Sequence, residues 1–328
     1  MENSNELEKI LGEWLDFIDQ TLAEQGQPLH MRPLFAATQF IKFGIVAVKN
    51  GEEEAAPGEF PEYADSKWFK TIYKATEKWY HQRFGKALAA KKSEEYEAVT
   101  LVRNTPYLFK VPMTTTQVEI PGETAWICFH ESVQHDENVL EWLCHRPNYE
   151  LLSQESVEAA RSLTKEIASN LRAIHIALIG IGNSNPKMLE MSQHILPNLR
   201  EVALFLVKGD AHNLKLSYWP MQMACELVLK CLAQQRVQTF KETHDLFHLY
   251  DQLPESPPPF PRKKLSKLPN WKKMTDFRYG GGQSVSISQT FDAYRATVAI
   301  VAASASAFKK NLVLNKAKFL IKLQRWMK

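Results

Sequence analysis

The chain has 328 residues, of which 45% are hydrophobic and 23% are charged, and its formal net charge is +3 at neutral pH. These values are typical of a soluble globular protein with one large domain or two of ordinary size, and they exclude a surface that is basic throughout. We expect a cytoplasmic protein without a transmembrane segment, because the acidic N-terminus lacks the apolar core of a signal peptide and no run of about 18 apolar residues is free of charge.

Helical periodicity dominates the first half of the chain. Apolar residues of 5–25 recur at spacings of three and four, which predicts an amphipathic helix. Further helices are predicted over 33–50 and 66–91, on either side of an acidic loop with Pro and Gly. Residues 104–130 are instead rich in Thr and β-branched residues around a Pro-Gly turn. They predict a β-hairpin near 113–130 and no other β structure.

The remaining predicted elements are helical. Ser153 is a suitable N-cap and Gly180 a suitable end for one of them. The predicted helices cover 136–145, 153–182, 186–207, 217–235, a segment starting near 241, and 288–310. Residues 254–270 read as a proline-rich basic loop, and we expect the loop to continue to the glycines at 280–282. The predicted fold class is therefore mainly α, with a helical region and one hairpin over 1–208 and a helical bundle over 209–328.

The C-terminal tail, residues 309–328, holds seven Lys or Arg and no Asp or Glu. As a helix it would be basic and amphipathic, able to dock on RNA, on an acidic protein partner or on a membrane surface. The alternative is a terminal helix that packs Leu320, Leu323 and Met327 onto the body and leaves its lysines in water.

The four cysteines, Cys128, Cys144, Cys225 and Cys231, form no CxxC pair and read as reduced thiols. Cys128 with His130 and Cys144 with His145 do not match a standard zinc spacing. We therefore predict neither a metal nor another cofactor.

Short polar motifs follow one another in the second half of the chain, each at a helix boundary or on a helix. They are Glu226, Leu227, Leu229 and Lys230 in the predicted buried helix, His244, Asp245 and Leu246 at the next helix start, and Arg278 and Tyr279 before the last helix. This order resembles the HEPN superfamily of small helical-bundle domains, over about residues 210–312.

The resemblance implies a protein that binds a nucleotide, RNA or a protein partner, as a homodimer, in a stress-response or phage-defence setting. It implies ligand-binding roles for Glu226, Lys230, Asp245 and Tyr279. Ribonucleases of this superfamily carry an Arg four to six residues before a His, whereas here seven residues separate Arg236 from His244.

Two alternatives remain beside this interpretation. One is a metal-independent endoribonuclease in which His244 is the general base and Arg278 steadies the phosphate. The other is a non-enzymatic scaffold that docks through its basic C-terminal helix.

Physical chemistry alone gives the same residues structural roles. Glu226 and Lys230 have the favourable orientation for an i,i+4 ion pair. Thr243 is a plausible N-cap, and Asp245 suits the positive end of a helix. Arg278 could clamp the carboxylate of Glu226 or Asp245, so these residues form either a polar clasp or a ligand site. The glycines at 280–282 read as a connector or as a loop that offers backbone N–H groups to phosphate.

Overall fold

The computed structural model describes residues 2–50, 53–60, 62–88, 95–121, 123–181, 186–238, 240–253, 259–279 and 281–322. The mainly α fold class is confirmed. The described residues divide into two compact units, the first containing 2–88 and the second containing 95–119 and 125–321. The division therefore falls near residue 94, whereas the sequence analysis placed it at 208. In these ranges no helix has the length and apolar character needed to cross a bilayer.

The first unit is built on helices that the sequence predicted. Its elements are α1 (Glu2–Glu24), α2 (Arg32–Gly44), the paired strands β1 (Val48–Asn50) and β2 (Glu53–Ala55), and α3 (Lys67–Phe84). Leu11, Leu15 and Leu22 are at most 1% exposed, as the helical period requires. The second helix ends at Gly44, before the predicted limit, because the β-branched Ile45 and Val46 favour an extended chain.

The second unit contains the predicted hairpin and further strands. The prediction of no other β structure is therefore wrong. Its strands are β3 (Glu95–Val102), β4 (Thr105–Pro112), β5 (Thr114–Ile120), β6 (Thr124–Phe129) and β7 (Lys318–Lys322). Strands β5 and β6 are the predicted hairpin near 113–130. Strands β3 and β4 form another, whose two-residue turn, Arg103 and Asn104, has positive φ at both positions.

The predicted basic helix over 309–328 is wrong for the described part of that range. The last long helix ends at Ser306, and residues 318–322 form β7, which lies beside β6. Backbone bonds join Phe129 to Lys316 and Ala317 and align the two segments. Leu320 is 49% exposed and so is not packed on the body, and Leu323 and Met327 lie outside the described residues.

The helices of the second unit surround one central helix. They are α4 (Gln154–Gly180), α5 (Pro186–Gln193), α6 (Ile195–Lys208), α7 (Ala211–Leu216), α8 (Tyr218–Arg236), α9 (Leu246–Asp251), α10 (Trp271–Arg278) and α11 (Ile287–Ser306). Helix α8 packs against α5, α6, α9 and α11, and α11 also packs against α4. A single core therefore spans residue 208, where the boundary was predicted.

Three predicted segments differ from the observed structure. The expected helix at 136–145 is only a 3-10 turn, Val139–Trp142. The expected helix over 186–207 is divided at His194, because Pro197 is tolerated in the first turn of α6 but not inside a continuous helix. Helix α10 replaces a predicted loop, and the Asn270 side chain caps it by accepting a bond from the backbone N–H of Lys273.

A buried arginine ties α4 to the loop after β6 through an ion pair and to β4 through a hydrogen bond. The Arg172 side chain is 1% exposed, and its guanidinium donates to both carboxylate oxygens of Glu137 at 2.5 and 2.6 Å and to the carbonyl of Pro112 at 2.8 Å. Burial alone would raise the pKa of Glu137, but the bonds from Arg172 and from the backbone N–H of Gln134 lower it below its ordinary value.

We expect Arg172→Met to lower the free energy of unfolding by about 3 kcal/mol, because it leaves the Glu137 carboxylate largely buried without its partner. Urea denaturation at neutral pH measures this loss. The matched control is Arg200→Met, which removes an exposed ion pair with Glu97 and should cost less than about 1 kcal/mol. Equal losses in the two variants would contradict the structural role of Arg172.

Candidate functional site

Helix α8 carries one polar stripe on an otherwise buried helix. Trp219, Gln222, Glu226 and Lys230 follow one another at spacings of three and four, so they lie on the same face. Gln222 and Glu226 are each 2% exposed. Buried polar side chains need partners, and here the segment before α9 supplies them.

The Glu226 carboxylate binds two cationic or polar groups at once. Its oxygens lie 3.1 and 3.0 Å from Nδ1 of His244, and Lys230 Nζ lies 2.8 Å from Oε1. The predicted i,i+4 pair with Lys230 is therefore confirmed. Because a carboxylate only accepts hydrogen bonds, Nδ1 of His244 carries a proton, and Nε2 remains for another partner.

His244 is held firmly although its side chain is 57% exposed. Gln222 Nε2 donates to the His244 carbonyl at 2.6 Å, and the ring of Trp271 stacks on the imidazole at 4.5 Å with an interplanar angle of 9°. Three contacts therefore fix an exposed histidine: one to its backbone, one to a ring nitrogen and one to a ring face. An exposed side chain would be stable without them. Such over-determination is typical of a functional side chain.

The start of α9 differs from the prediction in its capping residue. Asp245, not Thr243, is the N-cap, and its carboxylate accepts from the backbone N–H groups of Phe247 and His248. Thr243 Oγ1 instead accepts from the N–H of Asp245. The carboxylate of Asp245 therefore satisfies the helix end rather than facing Arg278.

The contacts of His244 continue through a row of four side chains, which we name the aromatic ladder: His244, Trp271, Trp219 and Arg278. The Trp271 and Trp219 rings lie 5.4 Å apart, and the Arg278 guanidinium lies over the Trp219 ring at 4.0 Å. Arg278 thus contacts an indole, and the predicted clamp on Glu226 or Asp245 is not formed. The structure connects His244 and Arg278 through the two tryptophans.

The loop between α10 and α11 uses its polar backbone internally. Lys215 Nζ donates to the carbonyls of Gly281 and Gly282, and the Gly281 N–H donates to the carbonyl of Asp276. Gly282 has φ +74°, and a Cβ there would lie 2.8 Å from the Phe277 ring. This loop is therefore fixed, and Gly280 lies outside the described residues. Just before it, Tyr279 is 80% exposed.

A basic segment, residues 262–278, borders the aromatic ladder and contains two of its members. Asp276 is its one acidic residue, and all of its cations are exposed: Arg262, Lys263, Lys264, Lys267, Lys272, Lys273 and Arg278. Arg262 donates to both oxygens of Asp251 at 2.7 Å, which lowers the pKa of that carboxyl. This bond fixes the beginning of the segment to α9.

Other candidates for chemistry lie apart from this cluster or are unreactive. Arg236 donates to the carbonyl of Ala307, at the end of α11. Burial raises the pKa of the Cys225 and Cys231 thiols to about 12, so neither is a thiolate nucleophile at neutral pH. Within the described ranges, no three His, Cys, Asp or Glu side chains converge as metal ligands.

Sequence reasoning missed Trp219, Gln222 and Trp271. The first two were detectable, because they precede Glu226 by seven and four residues on the same helix face. Trp271 gave no signal, because its segment was predicted as a loop and its stacking on His244 depends on tertiary structure.

We expect Glu226→Leu to change the tautomer of His244, because the variant removes the acceptor that holds the proton on Nδ1. Long-range proton–nitrogen NMR spectra of histidine-labelled protein report which ring nitrogen is protonated. In the wild type the neutral ring should carry its proton on Nδ1, and in the variant the Nε2–H form should appear. His248, on α9, is the internal control and should not change.

Comparison with known proteins identifies no family for the chain: no protein-family model matches it, and neither the curated proteins nor the solved structures contain a match. The resemblance to the HEPN superfamily therefore stays a prediction.

Proposed function

We propose that residues 210–312 of the second unit form a HEPN-like module that binds RNA at the aromatic ladder and the adjoining basic segment. The observation that carries this proposal is His244, an exposed imidazole fixed by Glu226, Gln222 and Trp271 beside a run of cations. Its Nε2 is available to a ligand. In the described part of the chain no residue bonds to this nitrogen.

The charge distribution favours an anionic ligand. Within the described residues, Arg262 is paired with Asp251, whereas Lys272 and Lys273 on α10 form no ion pair. The basic segment has seven exposed cations and one acidic residue, Asp276, so it creates a local positive potential although the whole chain has a net charge of only +3. Polyphosphate backbones are the ligands that such a surface attracts most strongly.

The biological setting rests on the superfamily resemblance alone. It supports a homodimer, with stress response or phage defence as the role and a nucleotide or a protein partner as the other ligand classes. The scaffold alternative has lost its basis, because residues 309–322 do not form the basic helix that it required.

We expect the double variant Lys272→Gln/Lys273→Gln to bind single-stranded RNA roughly tenfold more weakly, because two phosphate contacts are removed. The slope of log affinity against log salt concentration should fall in magnitude by about 1.4, at about 0.7 per contact on a single strand. Fluorescence anisotropy over a range of salt concentrations measures both quantities. Lys9→Gln, on α1 of the first unit, removes an exposed lysine as the control; an unchanged slope in the double variant would contradict the proposal.

A metal-independent endoribonuclease is the second candidate function, and the Glu226–His244 hydrogen bond favours it. With Nδ1 held by the carboxylate, Nε2 could accept the proton of a ribose 2′-hydroxyl. The 2′-oxygen would then attack the adjacent phosphorus as the bond from phosphorus to the 5′-oxygen breaks, and the 5′-oxygen would take a proton from water, giving a 2′,3′-cyclic phosphate. Two tryptophans separate Arg278 from His244, so the predicted contact of Arg278 with the phosphate under attack is not supported, and in this mechanism Arg278 would contact a neighbouring phosphate.

If this second function holds, purified protein cleaves RNA in excess EDTA and His244→Ala abolishes the cleavage, because the general base is lost. Gel analysis of labelled RNA detects the fragments, and their cyclic phosphate ends identify the reaction. His248→Ala, which alters another exposed histidine four residues along the chain, should retain full activity. RNA left intact by the wild-type protein would exclude the nuclease and leave binding.

A further inference from the structure

We infer that the aromatic ladder recognises RNA through the phosphates of its backbone and does not stack the bases. The inference rests on the proposed RNA binding and specifies what that site reads. Exposed tryptophans beside cations usually indicate base stacking, as in single-strand-binding proteins. In this ladder the two tryptophan rings instead contact side chains of the protein itself, His244 and Arg278.

Each of the two indoles has one face covered by another side chain of the same unit. His244 lies parallel over Trp271 at 4.5 Å, and the Arg278 guanidinium lies over Trp219 at 4.0 Å. The indoles also contact each other at 5.4 Å. A base that stacked on Trp271 in place of His244 would break the bonds from His244 to Glu226, and Glu226 is 2% exposed. Such a displacement would leave the buried carboxylate with one partner fewer.

The groups that remain available are hydrogen-bond donors and cations. Arg278 donates through a planar fork that suits phosphate oxygens, and its stacking on Trp219 pre-orients that fork. Lys272 and Lys273 adjoin Trp271 in the sequence and are exposed. Nε2 of His244 donates when both ring nitrogens carry a proton, and in the Nδ1–H form it accepts instead. The guanidinium and the ammonium groups match anionic oxygens, and bonds to phosphate do not distinguish one base from another.

The consequence is sequence-independent binding with a strong salt dependence. The rings act as rigid supports that keep His244 and Arg278 at fixed positions, so the ladder presents a fixed spacing of donors to successive phosphates. Base identity should therefore matter little. A single stacked base would instead change affinity by about fivefold or more when it is removed.

The experiment compares strands of equal phosphate number: a uridine homopolymer, an adenosine homopolymer and an abasic strand, with a DNA strand as control for the missing 2′-hydroxyl. Fluorescence anisotropy with the full chain gives the dissociation constants. We expect all four values to agree within about threefold and the salt slopes to be equal. Tight binding of the homopolymers with binding of the abasic strand weaker by about fivefold or more would overturn the inference and leave RNA binding intact. No binding of any strand would overturn the proposed function as well.

A variant gives an independent result. Trp271→Leu removes the support of His244, so it should weaken the binding of abasic and base-containing strands by the same factor. A loss confined to the base-containing strands would show that bases stack on Trp271 and would overturn the inference. Thermal melting checks that the variant is folded. If it is not, the binding of the four nucleic acid strands by the wild-type protein still tests the inference.

Competition with inorganic polyphosphate of matched charge shows whether the bound phosphates belong to a nucleic acid backbone or to free polyphosphate. If the nucleic acid backbone is the ligand, polyphosphate should displace a bound strand only at higher concentration than an unlabelled strand does. Displacement at lower concentration would assign the phosphate chemistry to free polyphosphate and overturn RNA as the ligand.

Discussion

The carboxylate of Glu226 lies almost completely out of water, and the arrangement of the site follows from how its charge is compensated. A buried carboxylate is costly unless charged and polar partners surround it. Lys230, one turn along α8, provides the charge, and His244 provides a hydrogen bond from a different segment. Because that second partner comes from outside α8, satisfying Glu226 also fixes the chain that leads into α9.

Helix α8 can hold such a group because its other sides belong to the core. Cys225, Val228 and Leu229 are fully buried, so neighbouring helices surround the helix and its rotation is fixed. The polar stripe therefore has one orientation, towards α9 and α10. Trp219 belongs to the same stripe and extends the site to Arg278. The same helix therefore contributes to the core of the second unit and sets the geometry of the site.

Sequence reasoning recovered what depends on local patterns. The amphipathic period located α1, α3 and α4, and the i,i+4 spacing identified the Glu226–Lys230 pair. Elements whose conformation depends on tertiary contacts were missed. Strand β7 carries no alternating pattern and exists through pairing with β6, and strand β3 is buried on both faces, so its period is hidden. The partner of Arg278 was missed for the same reason, since Trp219 lies far away in the sequence.

Helix α10 shows how a short element with weak helical tendency acquires a defined position. It has eight residues, too few to be stable alone, and several of its side chains are charged. Met274 and Phe277 are buried, and Tyr218 contacts Phe277 on the inner side. On the outer side, Trp271 stacks on His244 and contacts Trp219. The lysines of α10 are therefore positioned by the same contacts that orient His244. The imidazole and the helix that carries the neighbouring cations are thus held in fixed positions relative to each other.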